Sequence, residues 1–419
     1  MLRQAFSLLP RRVRFAAYRT FVDCDLNPDP RLRLKIAETR DELEACFRLL
    51  HDAYVGSGFM KPHPSGLRVT LYNALPTTTT LCATFDGEVV GTLSLIRESV
   101  LGFPLQSIFD LHSVRERPGQ IAEVSALAVH RKFRKTGGAV LFPLMKFMRD
   151  YCSGFFDTRH LVIAVNPDRI EMYESLLLFD RLAQKTVTSY DYANGAPAIG
   201  ATLDLQVASR QFSEIYASKP PRRNLHQYFF EATLANIERP RRPYHTTNDP
   251  VMTPEMLDYF FNQRTQCFAE LEDRKKRLLH AIYDLPAYRD VLPPIPGATS
   301  YTHALRSFPR FSFKCPGSLK LTTSSDQDHW QLQVVDVSET GFQAYCDDPL
   351  PLFLWGKAQI ELGSSEHSSL LAQAVWQRDK AQNHFYGFEV KQVDPPWRHL
   401  VRELSRSSTA SELDGLKYS

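Results

Sequence analysis

One acidic side chain interrupts an otherwise apolar segment in the first half of the chain. Residues 121–129, IAEVSALAV, are apolar or small apart from Glu123 and Ser125, which predicts a mostly buried strand. A carboxylate in such a strand is costly in free energy unless it is paired or functional. Two interpretations follow: a structural glutamate paired with a core arginine, or a general base that removes a proton from a reacting group.

A basic, glycine-containing turn follows this strand directly. Residues 131–138 are RKFRKTGG, and an apolar helix is predicted to start near Ala139. Glycine lets the backbone approach a ligand closely, and the free N–H groups and dipole of a helix amino terminus favour phosphate. The turn therefore predicts an anion-binding cradle, formed by Arg134, Gly137, Gly138 and Ala139.

The segments on either side predict the elements that hold these residues. Residues 83–96, ATFDGEVVGTLSLI, place two strand-like runs around an Asp-Gly pair, a strong hairpin signal. Residues 160–179 begin with a buried strand that ends at Asn166, and Tyr173 lies on the helix behind it. Further elements are expected as a first strand (32–36), an amphipathic helix (40–54), two closing strands (182–190 and 199–207) and one long helix (255–285).

Taken in this order, the motifs resemble those of the GCN5-related acyltransferase superfamily. The pattern R-x-x-G-x-A from Arg134 to Ala139 is similar to its pantetheine-pyrophosphate loop, and Asn166 precedes Tyr173 as in the helix after that loop. More narrowly, residues 64–96 together with AEVSALAV and VNPDRIEMY resemble the long-chain N-acyl amino acid synthases, relatives of the acyl-homoserine-lactone synthases. This resemblance covers roughly residues 40–290.

The resemblance implies an α/β acyltransferase core, a mixed twisted sheet flanked by helices, that moves a fatty acyl group from a thioester to the amine of an amino acid. Glu123 is then the base, as proposed for the E-x-S strand of the homoserine-lactone synthases, and Tyr173 protonates the leaving thiolate. Ala126 stands where those synthases carry an arginine, which favours an ordinary amino acid over S-adenosylmethionine as acceptor.

The same resemblance assigns substrate and donor sites. Residues 56–76 form a long irregular loop of the kind that covers substrates, and Arg68 and Tyr72 within it, with Asn166, are candidate substrate residues; surface contacts are the alternative for the two loop residues. The donor is an acyl-phosphopantetheine thioester on acyl carrier protein or coenzyme A. An acidic carrier protein would suit a basic cluster formed by Lys219, Arg222, Arg223, Arg239, Arg241 and Arg242.

A second set of motifs lies beyond a proline-rich linker at residues 293–297, PPIPG. Short strands alternate with turns there, which predicts a small all-β barrel. R-x-x-x-R, from Arg306 to Arg310, and D-x-S-x-x-G, from Asp336 through Ser338 to Gly341, frame its start.

Both motifs match the PilZ domain. In that family the arginines bind cyclic di-GMP and the D-x-S-x-x-G turn touches its base and phosphate. Guanidinium groups suit this task, since they contact phosphate or the O6/N7 edge of guanine through two hydrogen bonds. An Asx-type turn and a surface ion pair are the structural alternatives.

Composition limits the remaining classes. The chain has 419 residues, 43% hydrophobic and 23% charged, with a net charge of +3 that makes no global case for nucleic acid. Its seven cysteines include no CxxC pair, so neither a metal site nor a disulfide framework is expected, and a reducing, cytoplasmic location fits. Residues 1–22 carry five arginines and no acid, which suits either an anionic membrane surface or an arm packed on its own domain.

These observations predict a two-domain enzyme with no tightly bound cofactor. The expected segments are a basic arm (1–30), an acyltransferase core (31–210), a helical extension (211–292), a linker (293–300), a PilZ domain (301–404) and a disordered tail (405–419). The expected activity is N-acyl transfer to an amino acid, controlled by cyclic di-GMP. Two alternatives stay open: a non-catalytic acyl-binding sensor, and an acyl-CoA-dependent transferase that acts on another amine.

Overall fold

The computed structural model describes residues 9–134, 136–156, 158–183, 186–239, 252–283, 286–295, 310–322, 329–363, 366–379 and 384–405. These residues form two compact units. The first comprises the described residues up to Arg239 together with Met256–Glu270, and the second comprises the remaining described residues.

The first unit is built on a mixed sheet. Its strands are β1 Leu32–Ile36, β2 Thr78–Phe85, β3 Glu88–Arg97, β4 Gln120–Val129, β5 Thr158–Val165, β6 Asp180–Arg181, β7 Val187–Tyr190 and β8 Ala196–Asp204. They are arranged in the order β1-β2-β3-β4-β5-β8-β6, with β7 paired to β8. Every neighbouring pair is antiparallel except β4 with β5.

Helices flank this sheet: α1 Arg11–Thr20, α2 Arg40–Gly56, α3 His112–Arg115, α4 Leu141–Phe156, α5 Pro167–Leu176 and α6 Leu205–Tyr216. The helix α4 contributes a buried apolar face that packs on the strands with Leu144, Phe147 and Met148. The sequence prediction of a mixed sheet flanked by helices is confirmed.

Several elements lie where short sequence patterns predicted them. The first strand and the helix after it lie where they were predicted, and a capping box between Thr39 and Glu42 starts that helix. The β2–β3 hairpin turns at Asp86 and Gly87, whose φ angles of 51° and 85° suit a two-residue turn with left-handed backbone.

Two predicted boundaries were wrong. The helix after the basic turn begins at Leu141 rather than near Ala139, because Gly137 and Gly138 have φ angles of 66° and 95°, which a right-handed helix does not allow. The last closing strand ends at Asp204, whose side chain accepts a hydrogen bond from the Gln206 N–H at 2.9 Å and caps α6.

The long helix predicted over residues 255–285 is interrupted. Its first part is α7 Pro254–Leu257, which continues as a π-helix over Asp258–Arg264, and a separate helix, α8 Asp273–Ile282, follows. Thr265 explains the interruption, because its hydroxyl donates to the Phe260 carbonyl at 2.7 Å and its backbone is extended.

The second unit contains a closed antiparallel barrel. Its strands are β9 Phe311–Leu321, β10 His329–Ser338, β11 Gly341–Cys346, β12 Trp355–Gly363, β13 Glu366–Asp379 and β14 His384–Gln392. They follow one another around the barrel in the order β10-β11-β14-β13-β12-β9. A final helix, α9 Pro395–Ser405, adds the buried side chains of Trp397 and Leu400 to the barrel's apolar core. The prediction of a small barrel is confirmed.

The basic N-terminal arm packs on its own unit. Arg14 of α1 binds Glu171 of α5 through its Nε at 3.1 Å, and Arg11 binds Glu174 at 2.8 Å. This agrees with the packed-arm interpretation and supplies no argument for membrane contact. None of the helices among the described residues has the length and apolar character needed to span a bilayer.

Candidate active site and nucleotide site

The sheet opens between its two parallel strands. β4 and β5 pair only over four positions, the last of which joins Glu123 to Val162. Beyond that point β5 stays paired with β8 as far as Val165, so β4 and β5 separate. Val124 and Ser125 on β4 and Val165 on β5 are only half-buried. Glu123 thus lies where a cleft between the strands begins.

A β-bulge lies in β4 just beyond this point. The pairing with β3 shifts between Thr92 and Ser94, which leaves one extra residue in β4. Ala126 in this segment has a φ angle of 53°, a left-handed conformation that is rare for alanine. The bulge redirects backbone groups of β4 beside the opening.

Glu123 is buried without an ionic partner. Only 1% of its surface is exposed, and its Oε2 accepts a hydrogen bond from the Leu105 N–H at 3.0 Å. Burial raises the pKa of Glu123 to about 8, and the Leu105 hydrogen bond acts in the opposite direction. A pairing with a core arginine, the structural alternative, is absent from the described residues. The nearby core cation Arg97 instead donates to Thr79 Oγ1 at 2.7 Å.

Three tyrosines surround this carboxylate. The negative charge of Glu123 adds to burial in raising the pKa values of Tyr72, Tyr190 and Tyr192. The Tyr192 ring contacts those of Tyr72 and Tyr190 with centroid distances of 5.7 and 5.8 Å. Within the described residues the buried Tyr190 hydroxyl has no hydrogen-bond partner. The three tyrosines therefore form a buried aromatic cluster within electrostatic reach of the carboxylate.

Arg68 joins the same cluster from the long loop. It is 5% exposed, its Nη2 donates to the Tyr192 carbonyl oxygen, and its guanidinium lies over the Tyr54 ring at 4.3 Å and the Tyr192 ring at 5.0 Å. Arg68 and Tyr72 are therefore brought towards Glu123 through Tyr192. Their role in substrate binding remains a prediction.

Several backbone N–H groups in and after the glycine turn have no hydrogen-bond acceptor among the described residues. Arg134 is exposed, and its Nε donates to the Val129 carbonyl at 2.8 Å, which fixes the side chain against the end of β4. The N–H groups of Gly137, Val140 and Leu141 have no acceptor among the described residues. At Gly138 a side chain would collide with the Phe142 ring, since a Cβ would lie 2.5 Å from it. Open N–H groups at the start of α4 suit an anion.

Asn166 and Tyr173 hold the helix behind β5. The Asn166 side chain accepts a hydrogen bond from the Asp168 N–H at 2.9 Å and caps α5. The Tyr173 ring packs edge-on against Phe179 at 6.0 Å, and burial raises its pKa to about 12. The charge of Arg169 lowers this pKa, and no contact among the described residues joins Tyr173 to Glu123 or to the three tyrosines.

The long loop borders a cavity of about 480 Å³, lined by residues 58–64 and by Asn194 in the turn before β8. Two contacts hold the loop. His51 Nε2 accepts from the His63 N–H at 3.1 Å, and Arg264 of the π-helix donates to the Ser65 carbonyl at 3.0 Å. The cavity therefore lies beside the turn that carries Tyr192.

The barrel places most of its motif residues together. Arg310 Nη1 lies 3.8 Å from Asp336 Oδ1, and Ser338 Oγ donates to the Gly341 carbonyl at 3.0 Å. Gly341 has no space for a side chain, because a Cβ would collide with the Phe388 carbonyl. Arg306 lies outside the described residues. The described barrel thus contains the ion pair named as an alternative, whereas the hydrogen bond across the turn comes from the Ser338 hydroxyl and not from an Asx side chain, which was the other alternative.

Two family models match the chain. The model of N-acyl amino acid synthase FeeM matches residues 45–204, and that of the PilZ domain matches residues 304–406. Residues 45–204 are an N-acyl amino acid synthase domain, and residues 304–406 are a PilZ domain. The synthase domain is thereby an N-acyltransferase domain. No curated protein matches the chain.

Solved structures resemble each domain. FeeM, an N-acyl amino acid synthase from uncultured soil microbes, is 23% identical over 43% of this chain and 94% of its own, with a TM-score of 0.36. BjaI, a CoA-dependent acyl-homoserine lactone synthase, is 22% identical over 44% of this chain and 88% of its own (TM-score 0.34). The PilZ domain of Escherichia coli YcgR, solved with c-di-GMP, is 14% identical over 28% of this chain and 100% of its own (TM-score 0.22).

Part of the synthase-domain cluster was not predicted from the sequence. Tyr190 and Tyr192 belong to the segment SYDYAN at residues 189–194; the predicted closing strand ends at Tyr190, and Tyr192 lies beyond it. Tyr54 was assigned to the outer end of a helix. The available signal was the density of tyrosines just before a turn. Nothing local in the sequence connects that turn to Arg68 or Glu123.

Proposed function

We propose that the synthase domain transfers a fatty acyl group from a phosphopantetheine thioester to the amine of an amino acid, and that cyclic di-GMP controls this reaction through the PilZ domain. The observation that carries the first part is Glu123. It is a buried, unpaired carboxylate with a pKa of about 8, located where the sheet opens. A base with a pKa near the working pH is well suited to take a proton from an α-amine.

The donor is proposed to enter along the open edge of β4. Its phosphates would bind the N–H groups at the start of α4 and the Arg134 guanidinium, with Gly137, Gly138 and Ala139 giving close backbone approach. The pantetheine arm would then run beside the segment of β4 that β5 leaves unpaired. This path leads from the phosphate cradle towards the bulge at Ala126.

The proposed reaction uses two side chains, those of Glu123 and Tyr173, together with backbone N–H groups. Glu123 accepts a proton from the ammonium group, and the free amine attacks the thioester carbonyl carbon. A C–N bond forms first and gives a tetrahedral intermediate, whose oxyanion is stabilised by backbone N–H groups of the bulged strand. When this intermediate collapses, the C–S bond breaks, Tyr173 donates a proton to the leaving sulfur, and the second proton of the amine nitrogen restores the Tyr173 hydroxyl. The proton held by Glu123 passes to solvent before the next turnover. Burial raises the pKa of Tyr173 to about 12, so its hydroxyl is protonated at neutral pH.

Substrate contacts are proposed for Arg68, Tyr72 and Asn166. The first two reach the Glu123 cluster through Tyr192, and Asn166 ends the strand that forms the other wall of the cleft. The chemistry of this cluster, one cation and one carboxylate among aromatic rings, favours a small polar acceptor over an unmodified hydrocarbon amine.

Acyl carrier protein is the proposed carrier of the donor in the cytoplasm. Lys219 and Arg223 of the predicted basic cluster are exposed, whereas Arg222 is paired with Asp23 at 2.7 Å and Arg239 with Asp150 at 2.7 Å. Rates with matched acyl carrier protein and coenzyme A thioesters decide between carriers. A carrier-protein preference that falls with added salt supports protein docking. Equal rates with the two thioesters would mean that the carrier protein is not required and that the coenzyme A thioester is a sufficient donor.

Cyclic di-GMP is the proposed regulatory ligand of the PilZ domain. Arg310, Asp336, Ser338 and Gly341 occupy one end of the β10–β11 pair, and Arg306 completes the motif in sequence. Ligand binding would replace the long Arg310–Asp336 contact by bidentate contacts to phosphate or guanine. Control of the transferase requires different ligand affinities in its active and inactive states. Calorimetric titration combined with the acylation assay tests both binding and control.

A further inference from the structure

We infer that Arg68 binds the α-carboxylate of the acceptor, so that the synthase domain accepts free amino acids and rejects amines or amino-acid amides. The inference rests on the proposed function and deepens it. Its subject is the selection of the acceptor, whereas Glu123 is concerned with the proton that the acceptor loses.

Arg68 is a buried cation without a compensating anion among the described residues. It is 5% exposed, yet within the described residues its guanidinium makes one hydrogen bond, from Nη2 to the Tyr192 carbonyl. No described carboxylate pairs with it. Buried charges are normally paired, because removing them from water costs free energy that only a partner offsets. Lys146, a similarly buried cation of the same unit, shows the ordinary arrangement with Asp150 at 2.9 Å.

Two aromatic rings hold the Arg68 guanidinium in place. The rings of Tyr54 and Tyr192 lie 4.3 and 5.0 Å from it. Aromatic contacts fix the plane of an arginine without using its N–H groups. A fixed guanidinium with unused donors matches the two oxygens of a carboxylate, which accept parallel hydrogen bonds.

Tyr192 lies between Arg68 and the Glu123 cluster: its carbonyl oxygen accepts from Arg68 and its ring contacts those of Tyr72 and Tyr190. Burial is the largest influence on the pKa of Tyr192 and raises it; Arg68 lowers this pKa and Glu123 raises it. An α-amino acid carries its ammonium and carboxylate groups on one carbon atom. In the proposed complex the carboxylate binds Arg68 and the ammonium group lies on the side of Glu123. An amide or a decarboxylated amine lacks the group that Arg68 binds.

Acylation of matched acceptors tests the inference. The protein is incubated with an acyl carrier protein thioester and, in separate reactions, with mixtures of L-amino acids, of their α-carboxamides and of the corresponding decarboxylated amines. The wild type should acylate the acids at least about 10²-fold faster than the other two mixtures, the range for losing a buried charged hydrogen-bond partner. Arg68→Met should lower the rate with the acids by a similar factor and leave the rates with the amides and amines nearly unchanged.

Two control variants separate recognition from folding. Arg68→Lys keeps the charge but lacks the two parallel N–H donors of the guanidinium, so it should recover only part of the preference for acids. Arg97→Met removes a buried arginine whose N–H groups donate to Thr79 and to the Pro76 carbonyl, so any loss of stability should reduce all three rates together. An equal loss for acids and amides in Arg68→Met would overturn the inference and leave Arg68 as a support for the Tyr192 turn.

A binding measurement keeps this test independent of catalysis. In thermal denaturation, the L-amino acid mixture should raise the melting temperature of the wild type, the carboxamide mixture should not, and Arg68→Met should respond to neither. If no thioester is consumed with any acceptor, the proposed function fails, and this comparison still decides the role of Arg68. Equal stabilisation by acids and amides would contradict carboxylate binding.

Discussion

Glu123→Gln separates the chemistry of the proposed base from its structural role. The amide keeps the shape of the side chain and an oxygen that accepts the Leu105 N–H, but it cannot take a proton. Turnover should therefore fall by about 10²–10⁴, the usual contribution of a general base. In the wild type, kcat/KM should rise with pH around the Glu123 pKa of about 8, because only the ionised carboxylate is active. The variant should lose that rise.

The same variant should have the opposite effect on stability. Burial raises the Glu123 pKa from an ordinary 4.5 to about 8. Between these values the unfolded chain releases the proton and the folded chain keeps it, so stability is fully present below about pH 4.5 and is lost as pH rises through 8. With about 1.36 kcal/mol per pKa unit, the cost at high pH is at most about 5 kcal/mol. Glu123→Gln removes this cost and should unfold later than the wild type in alkaline buffer.

Initial rates and denaturant unfolding, each measured across the range from about pH 6 to about pH 9.5, test these expectations. Glu174→Gln is the matched control. It changes a buried carboxylate that is ion-paired with Arg11 and Arg181, so it should lower stability at neutral pH and leave the pH midpoint of turnover in place. Wild-type turnover with an unchanged pH midpoint in Glu123→Gln would refute the assignment of Glu123 as the base.

Three further variants test the other assigned residues. Arg134→Ala should raise the KM for the thioester donor by about tenfold, as expected for one phosphate contact, while the acceptor KM is unchanged; equal losses for both substrates would indicate damage to the fold. Tyr173→Phe should slow product formation most with poor leaving groups, and unchanged turnover would remove it as the proton donor. Arg310→Ala should abolish micromolar binding of cyclic di-GMP, measured by calorimetry, together with any effect of the ligand on the acylation rate, and retained binding would leave R-x-x-x-R without a role.

The elements were predictable where short segments contain the whole signal. The Asp86-Gly87 turn, the first strand and the capped helix at Thr39 depend on neighbouring residues alone, and each lies where it was expected. The basic glycine turn could also be predicted from neighbouring residues alone. Its positive φ angles place the start of the helix at Leu141, later than predicted. Strand β11, residues 341–346, begins at Gly341, the last residue of the D-x-S-x-x-G motif, so the turn signal and the strand signal overlap there.

The site was predictable only in part, because its residues meet through tertiary structure. Glu123 is evident as the lone acid of an apolar strand. Its nearness to Tyr72 and Tyr192 depends on how the long loop and the turn before β8 fold over the sheet. The same holds for Arg68, whose contact with Tyr192 spans 124 positions in the chain. No periodicity or local motif contains such information.

The most direct test of the account measures thiol release and N-acyl product in the same reaction. Purified protein is supplied with an acyl carrier protein thioester in the presence and absence of an L-amino acid mixture, and both products are quantified by mass spectrometry. A transferase should form one molecule of N-acyl amino acid for each thiol released, with little thiol when no acceptor is present. Thiol without N-acyl product would indicate a thioesterase, and a bound thioester that never reacts would indicate an acyl sensor; either result would contradict the proposed transferase.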